Sequence, residues 1–340
     1  MTKRWLVWCG PLALIPALVA SVAVPAAAQA PAGADWTLPR TADGHPDLQG
    51  VWANNNVTPL ERPPEWADKA RLSAEELAAL EAAAAEATDP GQDALFGDQL
   101  VLAAIAGEQA TSYDPTTGNY NQFWVVERDF NDRTSLVVDP PDGRIPARTP
   151  AAERLVAERA AHRAAHPADT WEDVPLQERC ITYGVPRLGA GYNSYYQIFQ
   201  TADHVVFLME MNHDARIIPL DGRPQLDAGV RQWHGDSRGR WEGDTLVVET
   251  TNYSPKSDFR GASDSLRVVE RFTRTGPDTL EYAVTIDDPT TWIRPWTASI
   301  PLLRSEDALY EYACHEGNYG MEGILAGHRA QERAAAAGER

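Results

Sequence analysis

The stretch Thr279-Leu-Glu-Tyr-Ala-Val-Thr-Ile-Asp287 alternates large apolar residues with polar ones, only Ala283 departing from the polar set. Because side chains at i and i+2 of a strand share a face, Leu280, Tyr282, Val284 and Ile286 line one side while Thr279, Glu281, Thr285 and Asp287 meet water. Similar runs surround it at 195–201, 204–211, 215–220, 245–251, 266–274, 292–303 and 309–315. Turn residues separate them: Ala202-Asp203, Asp221-Gly222, Gly243-Asp244, Gly276-Pro277-Asp278 and Ser305-Glu306-Asp307. Eight runs joined this closely are expected to form hairpins. The fold class is therefore mainly β, an antiparallel meander forming a barrel or sandwich of lipocalin-like kind, with helical N-terminal additions.

Working outward, residues 31–179 read as an irregular, proline-punctuated N-terminal region packed on the β domain of 180–320, and 321–340 as a helical tail. Ser73 and Glu76 form an S-x-x-E capping box opening a helix to Ala87, another helix is expected over 98–106, and Thr149-Pro150 starts a third to about Ala165. Residues 133–138 resemble a strand before the turn Pro140-Pro141-Asp142-Gly143. Residues 1–30 read as a signal peptide: Lys3 and Arg4, an apolar run, then Ala28-Gln29-Ala30 as a small-x-small cleavage site. No later run approaches the ~20 apolar residues of a spanning helix, so a periplasmic or secreted protein without membrane insertion is expected.

Charge and cysteine usage narrow the class. Thirty Lys+Arg stand against 49 Asp+Glu in 340 residues, a net charge of −19, which would repel nucleic acid and anionic membrane surfaces. At 43 % hydrophobic and 23 % charged the chain is not disordered as a whole. Of three cysteines, Cys9 leaves with the signal; Cys180 and Cys314 remain in an oxidising compartment and are expected to pair, closing the meander. Two cysteines without a C-x-x-C pair make a poor zinc framework, and no H-E-x-x-H occurs, so no metal site is expected. No cofactor is expected either, since G-x-x-x-x-G-K-[ST] and G-x-G-x-x-G are both absent.

The stretches Trp241-Glu-Gly-Asp-Thr-Leu-Val-Val-Glu-Thr-Thr-Asn-Tyr253, Asp287-Asp-Pro-Thr-Thr-Trp-Ile-Arg-Pro-Trp-Thr297 and Tyr310-Glu-Tyr-Ala-Cys-His-Glu-Gly-Asn-Tyr319 resemble those of a widespread group of secreted, uncharacterised bacterial proteins. The likeness runs from about Pro39 to Ala330. It implies export and kinship and transfers no mechanism.

Candidate chemistry comes from charges on faces that otherwise pack. Alternation places Glu210 behind Val206 and Leu208, Glu270 between Val268 and Phe272, and Arg294 between Trp292 and Trp296. Buried charges are costly unless paired, so they form structural links or line a wet, ligand-sized cavity. In the second case Glu210 or Glu270 would be the acid or base, His213 and His315 proton carriers, and Arg294 a clamp on developing negative charge. Trp292, Trp296, Tyr196 and Asn318 would supply the aromatic faces and amide suited to a sugar-like or aryl small molecule. Gly235-Asp-Ser-Arg-Gly239 matches G-x-S-x-G, but lacks the following helix of a hydrolase elbow and reads as a polar hairpin loop. Two functions follow: a ligand-binding lyase or hydrolase, or a non-catalytic periplasmic carrier or envelope-associated module.

Overall fold

Thr279–Asp287 forms a strand whose burial alternates at every residue, and it lies near the middle of the sheet. The computed structural model describes residues 36–88, 93–108, 128–190, 192–257 and 259–338. The expected signal segment 1–30 lies outside them. In chain order the strands are β1 (Gly50–Ala53), β2 (Val137–Asp139), β3 (Tyr195–Gln200), β4 (His204–Met209), β5 (Ala215–Pro219), β6 (Asp236–Glu242), β7 (Thr245–Thr251), β8 (Arg267–Arg274), β9 (Thr279–Asp287) and β10 (Trp296–Ser305). The helices are α1 (Ala74–Ala87), α2 (Gln99–Ala106), α3 (Pro150–Ala165) and α4 (Tyr319–Ala337).

One antiparallel sheet runs β5-β4-β3-β1-β10-β9-β8-β7-β6, and β2 also pairs with β10. From β3 to β10 the inward side chains feed a single core that includes Ile198, Phe207, Leu246, Val268, Leu280, Ile286, Trp296 and Ile300. The sheet is thus rolled into a barrel-like form rather than split into a sandwich. It is not closed by hydrogen bonds: among the described residues no ladder joins the edge strands β5 and β6. They pack through side chains instead. A Cβ on Gly239 of β6 would stand 2.6 Å from a methyl of Leu220 and 3.0 Å from one of Ile218, so any side chain there would displace these neighbours.

The expected helices form where their caps predict. Ser73 and Glu76 make both halves of the capping box, and Thr149 accepts from Ala152 N ahead of Pro150. The sheet departs from expectation in five places. The N-terminal region is not merely packed on the sheet: β1 sits inside it between β3 and β10, anchored by fully buried Trp52, whose Nε1 donates to Leu48 O at 2.8 Å. Residues 235–239, expected as a polar hairpin loop, fall almost wholly in β6, which runs from Asp236 to Glu242. Residues 309–315, expected as a strand, form none. On β4 the inward residues are Val205, Phe207 and Met209, one step out of register from the expected Val206 and Leu208. The last strand starts at Trp296 rather than 292, because Pro295 cannot donate to a ladder and is confined to a strand's margin.

Cys180 and Cys314 are disulfide-bonded with Cα atoms 5.6 Å apart across 134 residues of sequence, as expected. Cys180 precedes β3 and Cys314 precedes α4, so the bond fixes the last segment of the chain against the segment entering the sheet. No helix of the described residues is long and apolar enough to cross a membrane. Replacing both cysteines with serine should lower unfolding free energy by about 2–5 kcal/mol in urea titrations under oxidising conditions, and reductant should reproduce the loss in the native protein.

Candidate functional site

The buried charges resolve into a pair that the sequence reading did not contain. Glu270 on β8 is 2 % exposed and faces Arg216 of β5, not Arg294. Arg216 Nη2 donates to Glu270 Oε2 at 2.6 Å and Nη1 to Oε1 at 3.1 Å, while Tyr282 Oη donates to Oε1 at 2.8 Å. Arg216 Nη2 also reaches Ser237 Oγ at 3.2 Å and Thr250 Oγ1 at 3.3 Å. Burial alone would lower the Arg216 pKa, but the Glu270 charge and hydrogen bond outweigh it and raise it. Burial, reinforced by the Glu270 charge, holds the Tyr282 phenol well above its ordinary range, and burial likewise raises Tyr196 and Tyr253.

This cluster is structural in form. The space around it, between Tyr196, Phe207, Phe272 and Leu302, is a cavity of about 20 Å³, room for a single water. Its rings are stacked, Phe272 on Tyr282 at 4.7 Å and 9°, with Phe207 against Phe272 at 4.7 Å. Arg294 lies outside on the surface, bound to Asp139 at 2.8 Å, because Pro295 breaks the alternation on which its inward placement rested.

The other expected site residues do not converge. Glu210 is buried in the turn after β4, where its Oε1 accepts from Tyr310 N at 3.2 Å. His213 is exposed, with φ of +55°, and His315 is exposed in the loop before α4. Asn318 caps α4, accepting from Met321 N at 3.3 Å and donating to Glu178 O at 2.9 Å. Trp292 and Trp296 are buried against each other edge to face, 5.9 Å between ring centres. Tyr196 alone of the ligand-binding set borders the Glu270 cavity. Ser237 of the G-x-S-x-G string sits within β6, 2.9 Å from Thr250 Oγ1, with no elbow around it.

A larger concavity lies beside the roll. The last turns of α3, residues 172–186, Trp233 and a segment that includes Tyr253, Lys256, Ser257 and Phe259 enclose a cleft of about 670 Å³, within the range of small-molecule sites. Trp233, Tyr253, Phe259 and Tyr183 supply its aromatic surface, and His162, His166, Asp173 and Lys256 its polar groups. Tyr253 is 3 % exposed, and its hydroxyl, beside Thr250, makes no hydrogen bond of ordinary geometry. Sequence reading missed this wall because Trp233, Tyr253 and Phe259 lie outside the alternating strands, although Tyr253 packs into the core those strands form. The signal available was their aromatic character beside Gly, Ser and Pro in connecting segments, where binding residues concentrate.

The cleft is held from below. Cys180 is disulfide-bonded, and two residues on Thr182 Oγ1 donates to Asp214 Oδ2 at 2.9 Å, contacts His234 Nε2 and accepts from Gly184 N at 2.9 Å. His234 Nε2 also lies 3.2 Å from Asp214 Oδ2. These three side chains resemble a hydrolase triad in composition only. In a triad the carboxylate holds Nδ1 and frees Nε2 for the hydroxyl, whereas here both partners meet Nε2. The cluster therefore ties the segment carrying Thr182 to the β4–β5 turn and to the entry of β6.

No family model matches this chain, and no curated protein matches it. Among solved structures it is similar to a secretary abundant heat soluble (SAHS) protein from Ramazzottius varieornatus, at 13 % identity over 33 % of this chain and 70 % of that one, with a TM-score of 0.23. A likeness so slight carries neither fold nor function.

Glu270→Gln should cost about 3–5 kcal/mol in chemical unfolding, since it leaves the Arg216 charge buried without its counter-ion, while the double variant R216M/E270L should cost much less. Alkaline titration supplies a second check. Groups whose folded pKa is raised contribute stability that is complete below the unfolded phenol pKa of about 10 and is lost as pH rises through the folded value. Tyr196, Tyr253 and Tyr282 should thus stay un-ionised at 295 nm until the protein unfolds, and stability should fall as pH rises above about 10.

Proposed function

We propose that this chain is an exported binding protein that takes a small molecule with an apolar ring face and polar substituents, sugar-like or aryl, in the cleft between α3, residues 172–186 and the Trp233, Tyr253 and Phe259 side chains. The observation that carries the reading is the cleft's makeup: about 670 Å³, with Trp233, Tyr253 and Phe259 facing charged and imidazole groups. Aromatic side chains offer large contact area at low entropic cost, and the exposed His162, His166 and Lys256 on the cleft are the groups that would meet a polar substituent. The disulfide and the Thr182 cluster pre-order the cleft floor, which reduces the ordering cost of binding.

A carrier fits better than a lyase or hydrolase. Acid/base chemistry needs two titratable groups within reach of one substrate atom. Glu210 and Glu270 are each engaged by internal donors, and His213 and His315 stand exposed in separate turns. Export is supported by the disulfide and by the signal-like residues 1–30.

Calorimetric titration with 4-hydroxybenzoate and with glucose, one member of each ligand class, tests the reading. One of the two should bind at Kd below about 1 mM, and Trp233→Ala should weaken it at least about tenfold without moving the thermal midpoint. Absence of binding by both probes and by close analogues, or binding indifferent to Trp233→Ala, would overturn it.

A further inference from the structure

His162 and His166 lie four residues apart where α3 ends, and His166 N still donates to His162 O at 2.8 Å, so the helical spacing holds through the second histidine. Residues at i and i+4 share a helix face. Their imidazole rings accordingly meet, with centres 4.6 Å apart and planes inclined by 36°. Two imidazoles bound through nitrogen to one transition-metal ion, at bonds of about 2.0–2.1 Å, place their ring centres roughly 4.5–5 Å apart.

The surroundings favour a cation. His166 Nδ1 is 2.7 Å from Asp169 Oδ2, which fixes the ring and leaves Nε2 as its outward nitrogen. Both histidines are exposed to solvent and line the same cleft as Glu172 and Asp173. The C-terminal end of a helix carries the negative pole of its dipole. Of the cations nearby, Lys256 is paired with Glu172 at 3.2 Å, the Arg179 guanidinium lies over the Trp171 ring, and Arg163 also lines the cleft.

From this arrangement we infer that His162 and His166 form a chelating site for a divalent transition-metal ion of the Zn²⁺, Ni²⁺, Cu²⁺ class, with Asp169 as positioning residue. Among the described residues no third His, Cys, Asp or Glu is gathered at the same point, so water completes the shell and the ion exchanges readily. Imidazole ligation selects these ions over Mg²⁺ and Ca²⁺, which prefer all-oxygen sets. The sequence gives no metal motif beyond the spacing H-x₃-H, since the carboxylate partner follows three residues later, beyond the end of the helix. The site shares its two histidines with the polar lining of the proposed ligand cleft, but it is argued from their mutual geometry and not from that reading.

The test uses the full chain without a histidine tag, stripped with chelator and titrated calorimetrically with Zn²⁺ alone. One ion should bind at Kd of about 100 µM or tighter. H162A and H166A should each weaken it at least about tenfold at unchanged thermal midpoint, D169N about tenfold through loss of ring positioning, and H213A not at all. Cu²⁺ bound at the same site should show electron paramagnetic resonance couplings to two imidazole nitrogens. Binding that survives in H162A/H166A, coupling to no histidine nitrogen, or no binding tighter than about 100 µM would overturn the inference.

Discussion

The Arg216–Glu270 pair stands where a closed barrel would have a ladder of hydrogen bonds. Edge strands expose unpaired backbone groups, and a full barrel removes them by pairing the first strand with the last. Here β5 and β6 face each other unpaired. Arg216 projects from β5 across the seam and is held by β6, β7 and β8 through Ser237, Thr250 and Glu270. One guanidinium with five donors can serve several strands at once, which an apolar side chain cannot do directionally. Placing the pair inside costs several kcal/mol of desolvation per ion, offset by bidentate geometry and by the Tyr282 hydroxyl. In return the curvature of the roll is fixed at one value, and the Gly239 contact with Ile218 and Leu220 can form.

Legibility of the fold in the sequence followed the strength of the alternation. On β9 every second residue is a large apolar one, and the strand formed with the expected bounds and with burial alternating over all nine residues. On β4, His204-Val-Val-Phe-Leu-Met209 is apolar on both faces, so period two alone could not choose between them. The cross-strand partners chose: Phe207 packs on Phe272. β1 is four residues long with a positive-φ glycine at its start, and such a segment gives too few periods to be read. Its place in the sheet depends on Trp52, which is buried beneath the guanidinium groups of Arg274 and Arg304.

The same reasoning explains which site residues were found. Glu270 was visible because β8 is long enough for its buried face to be followed through the charge. Arg216 was not, since β5 has five residues and two adjacent isoleucines of which Ile217 is 65 % exposed and Ile218 fully buried. Arg294 was misplaced by carrying alternation through a proline. The disulfide required no pattern at all, only the count of cysteines outside the signal-like residues 1–30. The cleft walls come from three distant stretches of chain, and nothing local in any of them records that the others lie opposite.

Where a ligand can be received follows from how the interior is filled. A rolled sheet of this size can hold either side chains or one small molecule. Stacked Phe207, Phe272 and Tyr282 with the ion pair leave space for one water, and opening that space would strip Glu270 or Arg216 of partners they need while buried. The cleft beside the roll carries no such cost. Its walls are largely segments that flank the strands, and one of them is tied to the framework by Cys180 and Thr182 within three residues. A surface built in this way combines the variable chemistry of loops with the fixed geometry of the sheet that supports it.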